Sequence, residues 1–232
     1  MYTIQNLSYA YGSKTVLSNI SFTLPLGKVI ALTGENGSGK STLLRLLAGT
    51  MQPTNGKILY NQHPVTNLVS KHVSYMPDTD NYFLKRTGDQ VFEFYDTVFD
   101  DFCLNKAYEI AEFLKIDGSK LIKDLSKGQR GRLKMAVVLA RNTPYYLLDE
   151  PFSGLDPIVR AQLIDGLMEF TDLSKQTILL STHELSEVER ITDGLLLLHD
   201  GKILSYEAME DIRKEWKQDA VSWMKSQYER VD

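Results

Sequence analysis

The sequence predicts an α/β fold built on a mostly parallel sheet, and three observations point to it. The apolar run Val29-Ile30-Ala31-Leu32-Thr33 follows Gly27 and enters a glycine-rich turn. That turn leads into Leu43, Leu44, Leu46 and Leu47 at helical spacing before Gly49. Two more short apolar runs, Tyr145-Tyr146-Leu147-Leu148 and Thr177-Ile178-Leu179-Leu180-Ser181-Thr182, flank a helical stretch over 158–170. Polar residues gather just past each run, at the edge where open α/β sheets bind ligands. With 232 residues and 43% hydrophobic content, the chain can bury a sizeable core in one large domain or two small ones.

Residues 1–25 read as strands broken by a Tyr11-Gly12-Ser13-Lys14 turn, with a period-2 run within Val16, Ile20, Phe22 and Leu24. They predict an N-terminal antiparallel β subdomain. Residues 56–60 look like an edge strand, and His72-Val73-Ser74-Tyr75-Met76 like a buried one ending at Pro77-Asp78. His63 and His72 have no partners at metal-ligand spacing and are expected to be ordinary strand or surface histidines.

From Thr87 to Ile116 the pattern turns helical. Val91, Phe94, Tyr95, Val98 and Phe102 share one face, which Tyr108, Ala111, Phe113 and Leu114 extend. A helical subdomain over about 79–141 is expected, its aromatics mostly core and its exposed end open to a partner. Asp124-Leu125-Ser126-Lys127-Gly128-Gln129 enters a helix through Leu133, Ala136, Val137 and Leu139, with Asp124 or Ser126 as the cap. Lys127, Arg130, Arg132 and Lys134 are expected on a solvated helix face. In a helical tail over about 207–232, Ile212, Trp216, Ala220, Trp223, Met224 and Val231 fall along one stripe. That stripe is expected to dock on its own domain or on a second subunit.

The glycine-rich turn, Gly34-Glu35-Asn36-Gly37-Ser38-Gly39-Lys40-Ser41-Thr42, fits the phosphate-loop pattern G-x-x-x-x-G-K-[ST] at every required position. Glycines let backbone N–H groups curl around phosphate oxygens, and the following helix dipole adds positive potential. Lys40 is expected to reach the β- and γ-phosphates and the Ser41 hydroxyl to ligate Mg²⁺. The pattern implies that the chain binds a nucleoside triphosphate. Tyr11, at a turn, is a candidate to stack on an adenine, a contact worth about 1–3 kcal/mol; Tyr9 is its nearby competitor.

Asp149 and Glu150 end an apolar strand. Two adjacent carboxylates there are costly unless they work on metal or water. His183, just past Thr182, is placed to donate to a γ-phosphate oxygen.

A net charge of -4 and a pI near 5.6 argue against nucleic acid as a main partner. The single cysteine, Cys103, excludes an intramolecular disulfide framework and suits a reducing compartment. Met1-Tyr2-Thr3-Ile4-Gln5-Asn6 lacks the pattern of a signal peptide. Leu195-Leu196-Leu197-Leu198 is far too short to cross a bilayer. A soluble, cytoplasmic protein is expected.

Taken in chain order, Tyr11, residues 34–42, Leu125-Ser126-Lys127-Gly128-Gln129, Asp149-Glu150, Ser153-Gly154-Leu155-Asp156 and His183 resemble the nucleotide-binding subunit of an ATP-binding-cassette (ABC) transporter. The resemblance covers nearly the whole chain. It implies a P-loop NTPase core with the helical subdomain inserted before the signature at 125–129. It also implies a head-to-tail dimer, of two copies or of close relatives, in which each ATP lies between one subunit's phosphate loop and the other's signature. Ser126 and Gly128, with Gln129 beside them, would then act in trans. By the same resemblance Asp149 holds the Mg²⁺ shell and Glu150 is the general base. His183 steadies the γ-phosphate, and Asp156 ties the two sites together.

A separate integral-membrane subunit is expected to carry the substrate and to hold the cassette at the inner face of the cell membrane. The chain resembles bacterial exporter ATPases for drugs, antibiotic peptides and lipids. Importer cassettes, and soluble relatives acting in protein or iron–sulfur cluster assembly, are the alternatives.

Two residues depart from the family pattern. Lys127 replaces the usual glycine, and Asp78 stands where a glutamine usually faces metal and attacking water. Like charges at about 4 Å cost roughly 4 kcal/mol at an effective dielectric of 20. Asp78 is therefore expected to face Mg²⁺ or its water shell, or to swing away until a membrane subunit pushes its loop inward. The segment 79–85 leads from it into the helical insert.

Overall fold

The computed structural model describes residues 1–79, 83–217 and 219–230. β1 (Tyr2–Tyr11) and β2 (Lys14–Leu24) form a hairpin in which Tyr11 faces Lys14 and Gly12 takes the left-handed conformation the tight turn needs. Tyr2, Ile4 and Leu7 of β1, with Leu17, Ile20 and Leu24 of β2, form the buried face. β3 (Val29–Thr33) is buried throughout, as a central parallel strand must be, and α1 (Lys40–Leu47) packs its leucines beside it. β4 (Asn55–Tyr60) pairs with β1, and the two-residue β5 (His63–Pro64) covers its other side. The strand expected at the edge therefore lies one position in.

After β6 (Val73–Met76) the insert holds α2 (Gly88–Val98), α3 (Leu104–Phe113) and α4 (Lys127–Leu139). Thr87 and Gln90 close a capping box at the start of α2. The helical pattern expected from Thr87 to Ile116 is thus two helices. Between them, Phe102 bridges to Arg141. The break rotates the apolar face. Val91, Phe92, Phe102, Ala107, Ile110, Ala111 and Leu114 are buried, while Val98, Tyr108 and Phe113 are exposed.

Arg141 ties this insert to the core. It makes paired 2.8 Å bonds to Asp101, donates to the Val73 and Ser70 carbonyls, and stacks over the Phe99 ring at 3.8 Å. The basic face expected on α4 is not uniformly solvated. Lys134 is buried and donates to the carbonyls of Asp78 (3.4 Å) and Thr79 (3.3 Å), and Arg132 donates to Gln162.

The chain then runs through β7 (Tyr145–Leu148), α5 (Pro157–Glu169), β8 (Thr177–Thr182), β9 (Gly194–His199) and β10 (Lys202–Ala208). The core sheet has the order β10-β9-β3-β8-β7-β6, parallel except for β10. The parallel register brings the carboxyl ends of β3, β6, β7 and β8 to one edge, with Thr33 opposite Thr182 and Met76 opposite Leu148. The candidate residues Gly34, Asp78, Asp149, Glu150 and His183 follow those ends.

The tail is two pieces rather than one helical stripe. α6 (Met209–Asp211) passes into a π-helical turn, Ile212–Trp216, which ends at a left-handed Lys217. Asp219 then caps α7 (Ala220–Tyr228). Ile212, Ala220 and Trp223 are buried in the core, while Val231 lies outside the described residues, as do residues 80–82 of the segment 79–85. The Thr33 hydroxyl donates to Met224 Sδ (3.5 Å), and Tyr228 packs on His199, so the tail supports the strand that leads into the phosphate loop. Trp223→Ala should cost about 3–5 kcal/mol of unfolding free energy, measured by urea denaturation.

Candidate nucleotide and catalytic site

The phosphate loop leaves β3 and closes on α1. A Cβ on Gly34 would overlap the Leu198 carbonyl oxygen, and Gly39, at φ 110°, would drive one into Leu17. Glycine is required at both places by contact as well as by backbone angle. Gly39 begins α1 with no side-chain cap, leaving the first-turn amides open to an anion. Lys40 is buried, and its ammonium donates to the carbonyls of Gly34 (2.7 Å) and Glu35 (3.1 Å). Burial pulls its pKa down, while Glu150 and Asp149 oppose that shift. Ser38 places a buried hydroxyl in the same loop with no partner among the described residues. Asn36, Gly37, Ser41 and Thr42 complete the run, with Thr42 buried under it.

Opposite the loop, the end of β7 holds a buried Asp149. Its Oδ1 accepts from Ser41 Oγ (2.9 Å) and Ser181 Oγ (2.8 Å), while its Oδ2 is buried with no hydrogen-bond partner among the described residues. A buried carboxylate oxygen left bare beside a serine hydroxyl fits a hard divalent cation such as Mg²⁺. Among the described residues no three His, Cys, Asp or Glu side chains cluster as a cage.

Glu150 follows in the left-handed region at φ 48°, uncommon outside glycine and costly enough to need support. Its amide donates to Ser181 Oγ (2.8 Å), and its Oε2 lies 2.8 Å from His183 Nδ1. Oε1 has no hydrogen-bond partner among the described residues. One serine of β8 thus holds both carboxylate residues. Sequence reasoning singled out Asp149, Glu150 and His183 but missed Ser181; a hydroxyl near the end of an otherwise apolar strand was the available signal.

The remaining candidates lie around this centre. Tyr11 is 47% exposed, edge-on to Tyr9, with its hydroxyl donating to Met51 Sδ (3.6 Å), so its ring is open to a ligand. Ser126, not Asp124, caps α4, in a capping box whose other half is Gln129. Ser126 and Gln129 are exposed, and among the described residues no hydrogen bond joins Ser126, Gly128 or Gln129 to the phosphate loop. Asp156 caps α5 through the amides of Ile158 and Val159. Asp78 is exposed, and among the described residues no bond joins its carboxylate to Ser41 or Asp149.

A family model described as ABC transporter matches residues 17–153, the span that holds the phosphate loop, the signature and the Asp149-Glu150 pair. The chain belongs to the ABC transporter family. An uncharacterized ABC transporter ATP-binding protein of Methanocaldococcus jannaschii is 35% identical over 90% of this chain and 78% of its own. A lantibiotic transport ATP-binding protein of Streptococcus pyogenes is 32% identical over 92% of this chain and 95% of its own. A solved ATP-binding subunit of an ABC transporter superposes with a TM-score of 0.82 at 26% identity, covering 95% of each chain.

The cassette is an ATPase that binds ATP. Its departure at Lys127 is accommodated locally: the ammonium rests against Gly154, where no Cβ blocks it. Ser181→Ala leaves the Glu150 amide without its acceptor and Asp149 with one of its two hydroxyl donors. It should lower kcat about tenfold and stability by about 1–3 kcal/mol, read by steady-state ATPase assay and urea denaturation.

Proposed function

We propose that this cassette dimerises around two ATP molecules and powers export of a peptide-, antibiotic- or lipid-like substrate through a separate membrane subunit. The Glu150–His183 pair, 2.8 Å apart beside the phosphate loop, carries the catalytic part of the reading. The exposed, self-capped end of α4, with no hydrogen bond to its own chain's loop among the described residues, supports action in trans on a second cassette. No helix among the described residues is long and apolar enough to cross a membrane. A groove of about 370 Å³ lined by Tyr75, Pro77, Phe83, Tyr95 and Phe99 opens beside the Asp78 loop and suits that partner. The lantibiotic transport relative supports an antibiotic-like substrate.

Mechanistically, the β- and γ-phosphates take the place of the Gly34 and Glu35 carbonyls at Lys40, beneath the open amides of α1. Ser41 and Asp149 Oδ2 would hold Mg²⁺, which when bound neutralises phosphate charge. Glu150 keeps Oε1 for the attacking water and accepts its proton, while Oε2 stays tied to His183. In the dimer His183 turns its other ring nitrogen to the γ-phosphate, Tyr11 stacks on the base, and Ser126, Gly128 and Gln129 reach the partner's nucleotide. Asp156 meets the partner's site.

Glu150→Gln should keep ATP binding and slow hydrolysis about 10²–10⁴-fold, with an ATP-bound dimer accumulating in light scattering. Near-normal turnover would remove Glu150 from the role of base. With an integral-membrane protein co-purified from detergent extracts, ATP-driven accumulation of labelled peptide or lipid inside inside-out vesicles supports export. ATP-driven loss from preloaded vesicles shows import, and capture of soluble proteins alone overturns the transport reading.

For Asp78, we propose a role in coupling. Its loop is held to α4 by Lys134, and its carboxylate stays clear of the metal site until the partner engages the groove. Asp78→Ala should lower partner-stimulated ATPase severalfold while leaving nucleotide affinity within about threefold, measured in reconstituted vesicles.

A further inference from the structure

A charged cluster behind the catalytic pair links it to the loop that carries Asp156. Arg160 stands one turn into α5, the helix that Asp156 caps, and its guanidinium donates back to the Leu155 carbonyl at 3.2 Å. The same guanidinium pairs with Glu187 and lies 4.0 Å from Glu184 Oε2. Glu184 in turn sets Oε1 3.6 Å from His183 Nε2, on the ring edge opposite Glu150. His183 is therefore held between two carboxylates, one catalytic and one anchored to α5.

We infer that Arg160 and Glu184 are positioning residues that transmit displacement of the Ser153-Gly154-Leu155-Asp156 loop to His183, and through it to Glu150. The inference rests on the proposed roles of Glu150, His183 and Asp156. The cluster has the polarity this needs. Burial, with Glu184 as neighbour, pushes the Glu187 carboxyl up to about 7, while the hydrogen bond from Glu187 holds Glu184 below the usual carboxylate range. Glu184 thus stays ionised beside the imidazole.

At 3.6 Å the Glu184 contact is longer than a good hydrogen bond, so it orients the ring by charge and yields when a γ-phosphate oxygen arrives. The Arg160 contact to Leu155 is backbone-directed. Any shift of that loop on pairing with a second cassette moves the guanidinium and the two glutamates with it. Contiguous paired charges of this kind supply a physical route from that loop to the His183 ring, beside the direct bond from the Ser153 amide to the Glu150 carbonyl (3.2 Å).

The test compares Glu184→Gln, Arg160→Met, Arg160→Lys and the double variant Glu184→Gln/Arg160→Met in the full chain. Glu184 is exposed, so its substitution should leave the melting temperature within about 2 °C. Glu184→Gln should lower kcat about fivefold with KM for ATP within twofold, the signature of lost positioning rather than lost binding. Arg160→Met should do the same, Arg160→Lys should recover part of the rate, and the double variant should be no slower than the slower single one.

Unchanged kcat in Glu184→Gln overturns the inference, as do additive losses in the double variant or losses that track melting temperature. If Arg160→Met fails to fold, Glu184→Gln and Arg160→Lys still decide the matter. Glu150→Gln is run alongside. If it hydrolyses ATP normally, the underlying assignment has failed. If it is inactive while Glu184→Gln matches the parent, only the relay has failed.

Discussion

Asp149 is the constraint around which the rest of the site is arranged. It is fully buried at the end of β7, one oxygen bonded to two serine hydroxyls and the other bare. A carboxylate in that position is tolerable only with hydroxyl donors and a cation within reach. Ser41 comes from α1 and Ser181 from β8, so the charge can be satisfied only when three separate elements are in register. The parallel sheet supplies that register. Glu150, forced into a left-handed backbone by the turn out of β7, is aimed by the same serine that holds Asp149.

Lys40 shows how charges within the chain shape the site. Its ammonium is bound by carbonyls of its own loop and flanked by two carboxylates, which offset the burial that lowers its pKa. Phosphate oxygens offer the same cation stronger, charged acceptors. The loop is thus built in a shape that an anion completes rather than creates.

The helical insert and the tail explain how distant parts of the chain reach this centre. Arg141 pins the insert to β6, and Lys134 pins α4 to the loop after β6, so the signature end of α4 and Asp78 share one support. The tail braces the other flank through Met224 at Thr33 and Trp223 in the core. The sheet edge between these supports carries the candidate nucleotide site.

The strand, glycine loop and helix at 29–47 were legible from spacing alone, as were the hairpin turn at Tyr11–Lys14 and the carboxylates at the end of β7. Each is encoded by residues adjacent in sequence, where periodicity and turn chemistry act locally. The helical insert was legible as helical but not as two helices. Its apolar face is set by the break before α3 and by the Phe102–Arg141 bridge, which no window of sequence contains. The solvated reading of Lys134 failed for the same reason: its acceptors, Asp78 and Thr79, lie more than fifty residues away. By itself the sequence determined that a glycine-rich loop, two adjacent carboxylates and a histidine would meet at one sheet edge. Tertiary structure alone decided which serine orients them, which carboxylate oxygen stays bare, and which charges stand behind His183, because those contacts depend on strand register and helix packing.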